Sequence, residues 1–95
     1  MRLTAEQVAA IRSAVGRQDP GARIILFGSR ADDHAKGGDI DLLVVSDRIG
    51  LREEWIIRRD VLDRIGWQKL DLIVRRNDQL DSPIAAAAIE SGVPL

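Results

Sequence analysis

Apolar positions recur along this chain with two different periods, and each change of period marks a new element. Val8, Ile11, Ala14 and Val15 recur at steps of three and four, as on one face of a helix. Thr4-Ala5-Glu6-Gln7, just ahead of them, is a capping-box pattern. Gly16 to Gly21, with Asp19-Pro20 inside, predicts the end of that helix. Arg23-Ile24-Ile25-Leu26-Phe27 is a short β-rich run bounded by glycines and predicts a buried strand. Gly28 to Gly38 is a polar loop with room for one helical turn. Asp39 to Val45 predicts a second strand, broken by Ser46-Asp47-Arg48-Ile49-Gly50.

The helical period returns from Leu51 to Ile65. Leu51, Trp55, Val61, Leu62 and Ile65 are expected on its apolar side, with Arg52, Glu53, Arg58, Arg59 and Asp63 in water, and Gly66 as the stop. Lys69 to Val74 predicts a third strand, closed by Arg75-Arg76-Asn77-Asp78. Ser82 caps a last helix with Pro83 at its first position, and Gly92 ends it. Helices alternating with strands predict an α/β (α+β) fold, a small mixed sheet of about three strands with helices packed on it. The 95 residues are read as one domain, 1–95.

Composition narrows the functional classes. Acidic and basic residues nearly balance at a net charge of -1, which is not the basic footprint of a nucleic-acid binder, so no direct nucleic-acid partner is expected. Aromatics are 3% and Tyr is absent, against a base-stacking platform. Cysteine is absent and His34 is the only histidine, which excludes disulfides and argues against zinc. No apolar run approaches the ~20 residues of a bilayer span, and the first residues lack an apolar signal region. The expectation is a cytoplasmic protein with no membrane partner.

The chemistry concentrates in a few positions. Asp39 and Asp41 are two apart, so on a strand they share one face, roughly 6–7 Å apart at the backbone, while Ile40 and Leu42 point into the core. Two like charges this close must be solvated, protonated or bridged. A hard cation such as Mg²⁺ bridges carboxylates and substrate phosphates. The plain alternative is a polar strand edge facing solvent. Asp71 interrupts an apolar run, where an unpaired buried carboxylate costs several kcal/mol. It must face solvent, pair with a cation such as Lys69, or bind a metal. If the third strand lies beside the second, Asp71 reaches the face of Asp39 and Asp41. Gly28-Ser29 leaves the first strand, where glycine lets backbone approach a ligand and Ser29 with nearby amides can meet phosphate oxygens. Arg30 adds a charge there or sits on the surface.

Gly28-Ser29-Arg30-Ala31 followed by Gly38-Asp39-Ile40-Asp41-Leu42-Leu43-Val44 resembles the signature of the DNA polymerase β-type nucleotidyltransferases. The short chain is similar to the minimal nucleotidyltransferases of MntA type, antitoxin partners of HEPN-domain toxins. The resemblance implies that Gly28 and Ser29 bind the nucleotide triphosphate, and Arg30, from its place beside them, is a further candidate for nucleotide binding. It implies that Asp39, Asp41 and Asp71 hold two Mg²⁺ ions and are the catalytic acids, with ATP as the substrate and AMP as the group transferred. The acceptor it implies is a hydroxyl, a tyrosine, on a HEPN toxin, the chain being too short for an acceptor domain of its own. A homo- or hetero-oligomer is compatible with it. Two alternatives are a degenerate member that neutralises its partner by binding alone, and transfer to a small molecule. The loop departs from the family at Asp32-Asp33 and at Gly38, where Ser is frequent.

Other side chains read more simply. His34 is expected on the surface. Trp55 and Trp67, with apolar neighbours, are expected in the core or an interface. The Arg58-Arg59 and Arg75-Arg76 pairs are expected to be solvated faces.

Overall fold

Thr4 opens the first helix through the bonds its pattern implies. The Gln7 amide donates to the Thr4 hydroxyl at 3.0 Å, and the Thr4 amide to Gln7 Oε1 at 2.9 Å. A computed structural model describes residues 1–32 and 38–95. Helix α1 (Ala5–Gln18) continues through Gly16, where the sequence predicted its end. A glycine inside a helix costs only about 1 kcal/mol, and burial of Ala14 and Val15 on the core side outweighs it. The helix closes where the Asp19 amide reaches Val15 O at 2.9 Å.

Strand β1 (Arg23–Phe27) leads into a single 3-10 turn, Gly28–Ala31. Strand β2 (Ile40–Val45), helix α2 (Leu51–Ile65), strand β3 (Leu70–Arg75) and helix α3 (Pro83–Ser91) follow. Both later strands begin one residue beyond the predicted Asp39 and Lys69, because the ladder starts at Ile40 opposite Leu70. β3 runs on to Arg75, which still has Val45 as a partner. β2 pairs antiparallel with β1 and parallel with β3, α2 supplying the crossover that parallel pairing requires.

Among the described residues the sheet has four strands, in the order β3-β2-β1-β4, where about three were expected. The added β4 (Val93–Pro94) lies antiparallel to β1 at the sheet edge, where proline is tolerated. Two residues carry no periodicity, so nothing in the pattern announced it. Gly92 permits the direct turn from α3 into β4. A Cβ there would stand 2.5 Å from Ile25 Cγ2 and 2.8 Å from Leu26 O.

The two sheet faces are covered unequally. Ile24, Leu26, Ile40, Leu42, Val44, Leu70 and Leu72 pack with Ile11, Val15, Ile57 and Val61 of α1 and α2. On the other face, among the described residues, Ile25, Leu43 and Val45 pack with Ala85 and Ala88 of the short α3, flanked by Phe27, Ile73, Leu80 and Ile89. The apolar side of α2 is rotated from the expected one. Leu51 and Trp55 are 72% and 66% exposed, while Ile57 and Val61 are buried. Leu51 and Trp55 stand roughly 120° and 160° around the helix from Ile57. Arg58, expected in water, is half-buried and donates to the Leu70 carbonyl. Trp67 is 82% exposed, not core. Among the described residues no helix is long and apolar enough to cross a membrane.

Candidate functional site

The site lies where β1 ends, on the sheet face that α3 covers. Phe27, the last residue of β1, is paired with Asp41 of β2. The chain must turn at once, and Gly28 does so at φ +70°, in the left-handed region that disfavours side chains. Any Cβ on Gly28 would collide with the Asp41 carboxylate. Glycine is therefore required twice here, by its backbone angle and by the acid packed against it.

β3 brings the second acid. Parallel pairing sets Asp71 directly opposite Asp41. On β2, Leu43 and Val45 share the face of Asp41, while Ile40 and Leu42 are fully buried on the other, as the two-residue period requires. Burial pushes the Asp41 carboxyl above its ordinary range. A hydrogen bond with the Asp71 side chain and the charges of Asp71 and Asp39 push it further, against the opposing pull of Lys69. Two carboxyls set opposite each other on neighbouring strands need a proton between them or a cation to replace it.

Asp39 stands differently. It lies just outside β2, and its half-exposed carboxylate meets Lys69 Nζ at 3.5 Å. The strand rule that would align it with Asp41 does not extend to a residue beyond the ladder. Among the described residues no group of three His, Cys, Asp or Glu side chains is placed to hold a metal ion. The structure thus joins Asp41 with Asp71 and keeps Asp39 beside them on a lysine. The donor set nevertheless fits magnesium. It is all oxygen, its paired charges call for a cation, and bare Gly28 lets a ligand approach the acid behind it.

The remaining predicted residues divide. Ser29 is half-buried, and its carbonyl accepts from Arg2 Nη2 at 2.9 Å. Arg30 is engaged by protein acceptors, the carbonyls of Arg2 and Gly38 at 2.9 Å and Gln68 Oε1 at 3.0 Å. Asp32 is exposed. Asp33 and His34 lie outside the described residues. The arginine pairs are bonded within the protein: Arg59 to Asp60 at 3.1 Å, Arg75 to the Val74 carbonyl at 2.9 Å, Arg76 to Asp78 at 3.4 Å. Sequence reasoning missed Arg2 and Gln68, whose side chains act across 27 and 38 residues of chain, and no local pattern marks them.

A second acid is withdrawn from water near the opposite end of β2. Asp19 accepts from the Ser46 hydroxyl at 2.6 Å and from the Gly21 amide at 2.9 Å. The Ser46 hydroxyl in turn accepts from the amides of Arg48 and Ile49 at 3.0 and 3.1 Å. The Ser46 bond, then the Gly21 amide and the Arg48 charge, outweigh burial and hold the Asp19 carboxyl below its ordinary range.

No curated protein matches this chain. A family model described as the nucleotidyltransferase domain matches residues 8–88, a span that contains Gly28, Ser29, Asp39, Asp41 and Asp71. The strand that ends in a glycine turn, the acid packed on that glycine and the second acid across the ladder all fall inside the matched span, and the chain belongs to the nucleotidyltransferase domain family.

Proposed function

We propose that this domain transfers AMP from ATP, in the presence of Mg²⁺, to a tyrosine hydroxyl of a HEPN-domain toxin, and so acts as its antitoxin. The observation that carries the nucleotidyl-transfer part is the approach of Gly28 to Asp41, with Asp71 directly opposite. Asp39, Asp41 and Asp71 would hold magnesium, which supplies neutralisation of phosphate charge when bound. Lys69 releases Asp39 when that carboxylate turns inward. The Gly28–Ser29 turn holds the triphosphate, and the absent side chain at Gly28 lets it lie against the acids. Asp71 accepts the proton of the acceptor hydroxyl. The acceptor oxygen bonds to the α-phosphorus as the bond to pyrophosphate breaks, and the AMP left on the toxin adds bulk and negative charge. The resemblance to MntA-type antitoxins is what supports this acceptor.

The test is incubation of purified protein with Mg-ATP and a HEPN protein encoded beside it, read by intact mass. An adenylate increment on the partner, lost in Asp41→Asn, supports the proposal. No increment, with an active adenylyltransferase control in the same buffer, overturns it. A second reading is a domain that neutralises its partner by binding alone. It is favoured by the lack, among the described residues, of a group of three ligands placed for a metal. Asp39→Asn with Asp41→Asn separates the two, because neutralisation that survives in a folded, partner-binding variant does not need transfer.

A further inference from the structure

We infer that Arg2 and Arg30 are positioning residues for the Gly28–Ser29 turn, and that Arg30 is not a phosphate ligand. The inference rests on the nucleotide-binding reading of that turn. It starts from an exchange of bonds between the N-terminal segment and the turn. The Arg2 amide donates to Arg30 O at 2.8 Å, Arg2 Nη2 to Ser29 O at 2.9 Å and Arg2 Nε to Asp32 O at 3.4 Å. Arg30 Nη1 returns a bond to Arg2 O at 2.9 Å.

Arg2 therefore occupies the carbonyl end of this single helical turn, the end where a cation is favoured. Carbonyl and amide of one trans peptide point in opposite directions. With Ser29 O facing Arg2, the Arg30 amide in the same peptide is directed the other way. The clasp thus sets the orientation of the peptides in the turn that faces Asp41, without contributing a group to the ligand side.

Arg30 extends the clasp to the segments that carry the acids. Its Nη2 reaches Gly38 O, next to Asp39, and Gln68 Oε1, three residues before Asp71. One guanidinium joins the N-terminal segment, the turn, the start of β2 and the start of β3. Of the five N–H groups an arginine carries, three are taken by these acceptors, and the buried Nε has no partner among the described residues. A phosphate-binding arginine presents its fork to the ligand; this one is turned into the protein.

The experiment is titration of Mg-tripolyphosphate and Mg-ATP into wild type, Arg2→Ala, Arg30→Ala and Arg30→Lys, with amide resonances of Gly28 and Ser29 recorded before and after ligand. Arg64→Ala is the control, since the ion pair Arg64 makes ties α2 to Glu6 of α1 at 2.6 Å, away from Asp39, Asp41 and Asp71. Both alanine variants should bind about tenfold more weakly, the loss of roughly one net hydrogen bond to a charged group. Their Gly28 and Ser29 resonances should already be displaced without ligand, Arg30→Lys should recover part of the affinity, and the control should bind as wild type. If Arg30→Ala does not fold, Gln68→Ala and Arg2→Lys make the same comparison. Ligand-free resonances left in place would overturn the inference whatever the affinity, and in Arg30→Ala an affinity loss with them unmoved would make Arg30 a phosphate ligand after all. Displaced resonances with unchanged affinity would overturn it too. Wild type that binds neither probe would instead remove the nucleotide reading, and the inference with it.

Discussion

Asp19 and Asp41 are both drawn out of water at the sheet, near opposite ends of β2, and the protein treats them in opposite ways. Asp19 is given a hydroxyl and a backbone amide, and its charge is held by groups that ask for one. Asp41 is given another carboxyl, a third nearby and a glycine so close that no side chain fits between. The first arrangement is complete without any ligand and joins the α1–β1 connection to the β2–α2 connection. The second is a conflict that a cation resolves. A small fold that satisfies one buried acid and leaves its counterpart opposed marks the opposed one as the place where something binds.

The comparison breaks if the opposed pair proves dispensable. Asp41→Asn or Asp71→Asn should lower nucleotidyl transfer by about 10²–10³-fold, the size seen when one preorganised electrostatic group is lost. Pyrophosphate release measures it. Thermal stability should hold or rise, since a like-charge contact disappears. The matching change at the satisfied end is Ser46→Ala, which leaves the Asp19 carboxylate and two amides short of a partner. It should cost about 1–3 kcal/mol in denaturant unfolding, with Mg-ATP affinity unchanged.

Glycines sharpen the same contrast. Gly28→Ala forces a side chain into the left-handed region, about 1–2 kcal/mol of strain, and drives it against Asp41, so Mg-ATP binding should fall along with stability. Gly16→Ala in α1 meets nothing within 4 Å. It should stabilise by roughly 0.5–1 kcal/mol, as read by thermal unfolding.

The two acids also give opposite pH slopes. In metal-free protein Asp41 titrates above the usual 3.8, so the folded chain keeps a proton that the unfolded chain has lost. Stability from this group falls as pH rises from that value through the raised one. Asp19 titrates below 3.8, so its contribution is full above that value and is lost as pH falls through the lowered one. Unfolding free energy measured across acid pH should lose the first slope in Asp41→Asn and flatten on the acid side in Ser46→Ala.

Much of this was legible in the residues, for physical reasons. β1 and α2 have the predicted bounds because their ends carry glycine and their lengths match one run of one period. Asp41 and Asp71 could be placed on one face because strand period and strand adjacency are both strong rules. Asp39 shows where the strand rule stops, one residue beyond the ladder. Trp55 is expected in the core or an interface because it is apolar, but the helix presents one stripe to the core, and Ile57 and Val61 occupy it. β4, the Arg2 clasp and the Ser46–Asp19 bond are long-range, and a linear pattern does not carry which distant groups will meet. The family match over residues 8–88 agrees with the reading that the Gly-Ser turn and acids suggested.

The most direct measurement is calorimetric titration of Mg-ATP into metal-free wild type and into Asp41→Asn, with ATP plus chelator as the blank. Saturable binding by wild type that requires the metal and is lost in Asp41→Asn is the result expected of a carboxylate pair opposed across a ladder to receive a metal nucleotide. Equal binding by the variant, or binding that ignores the metal, would contradict it and make the pair a structural accident of β2 and β3.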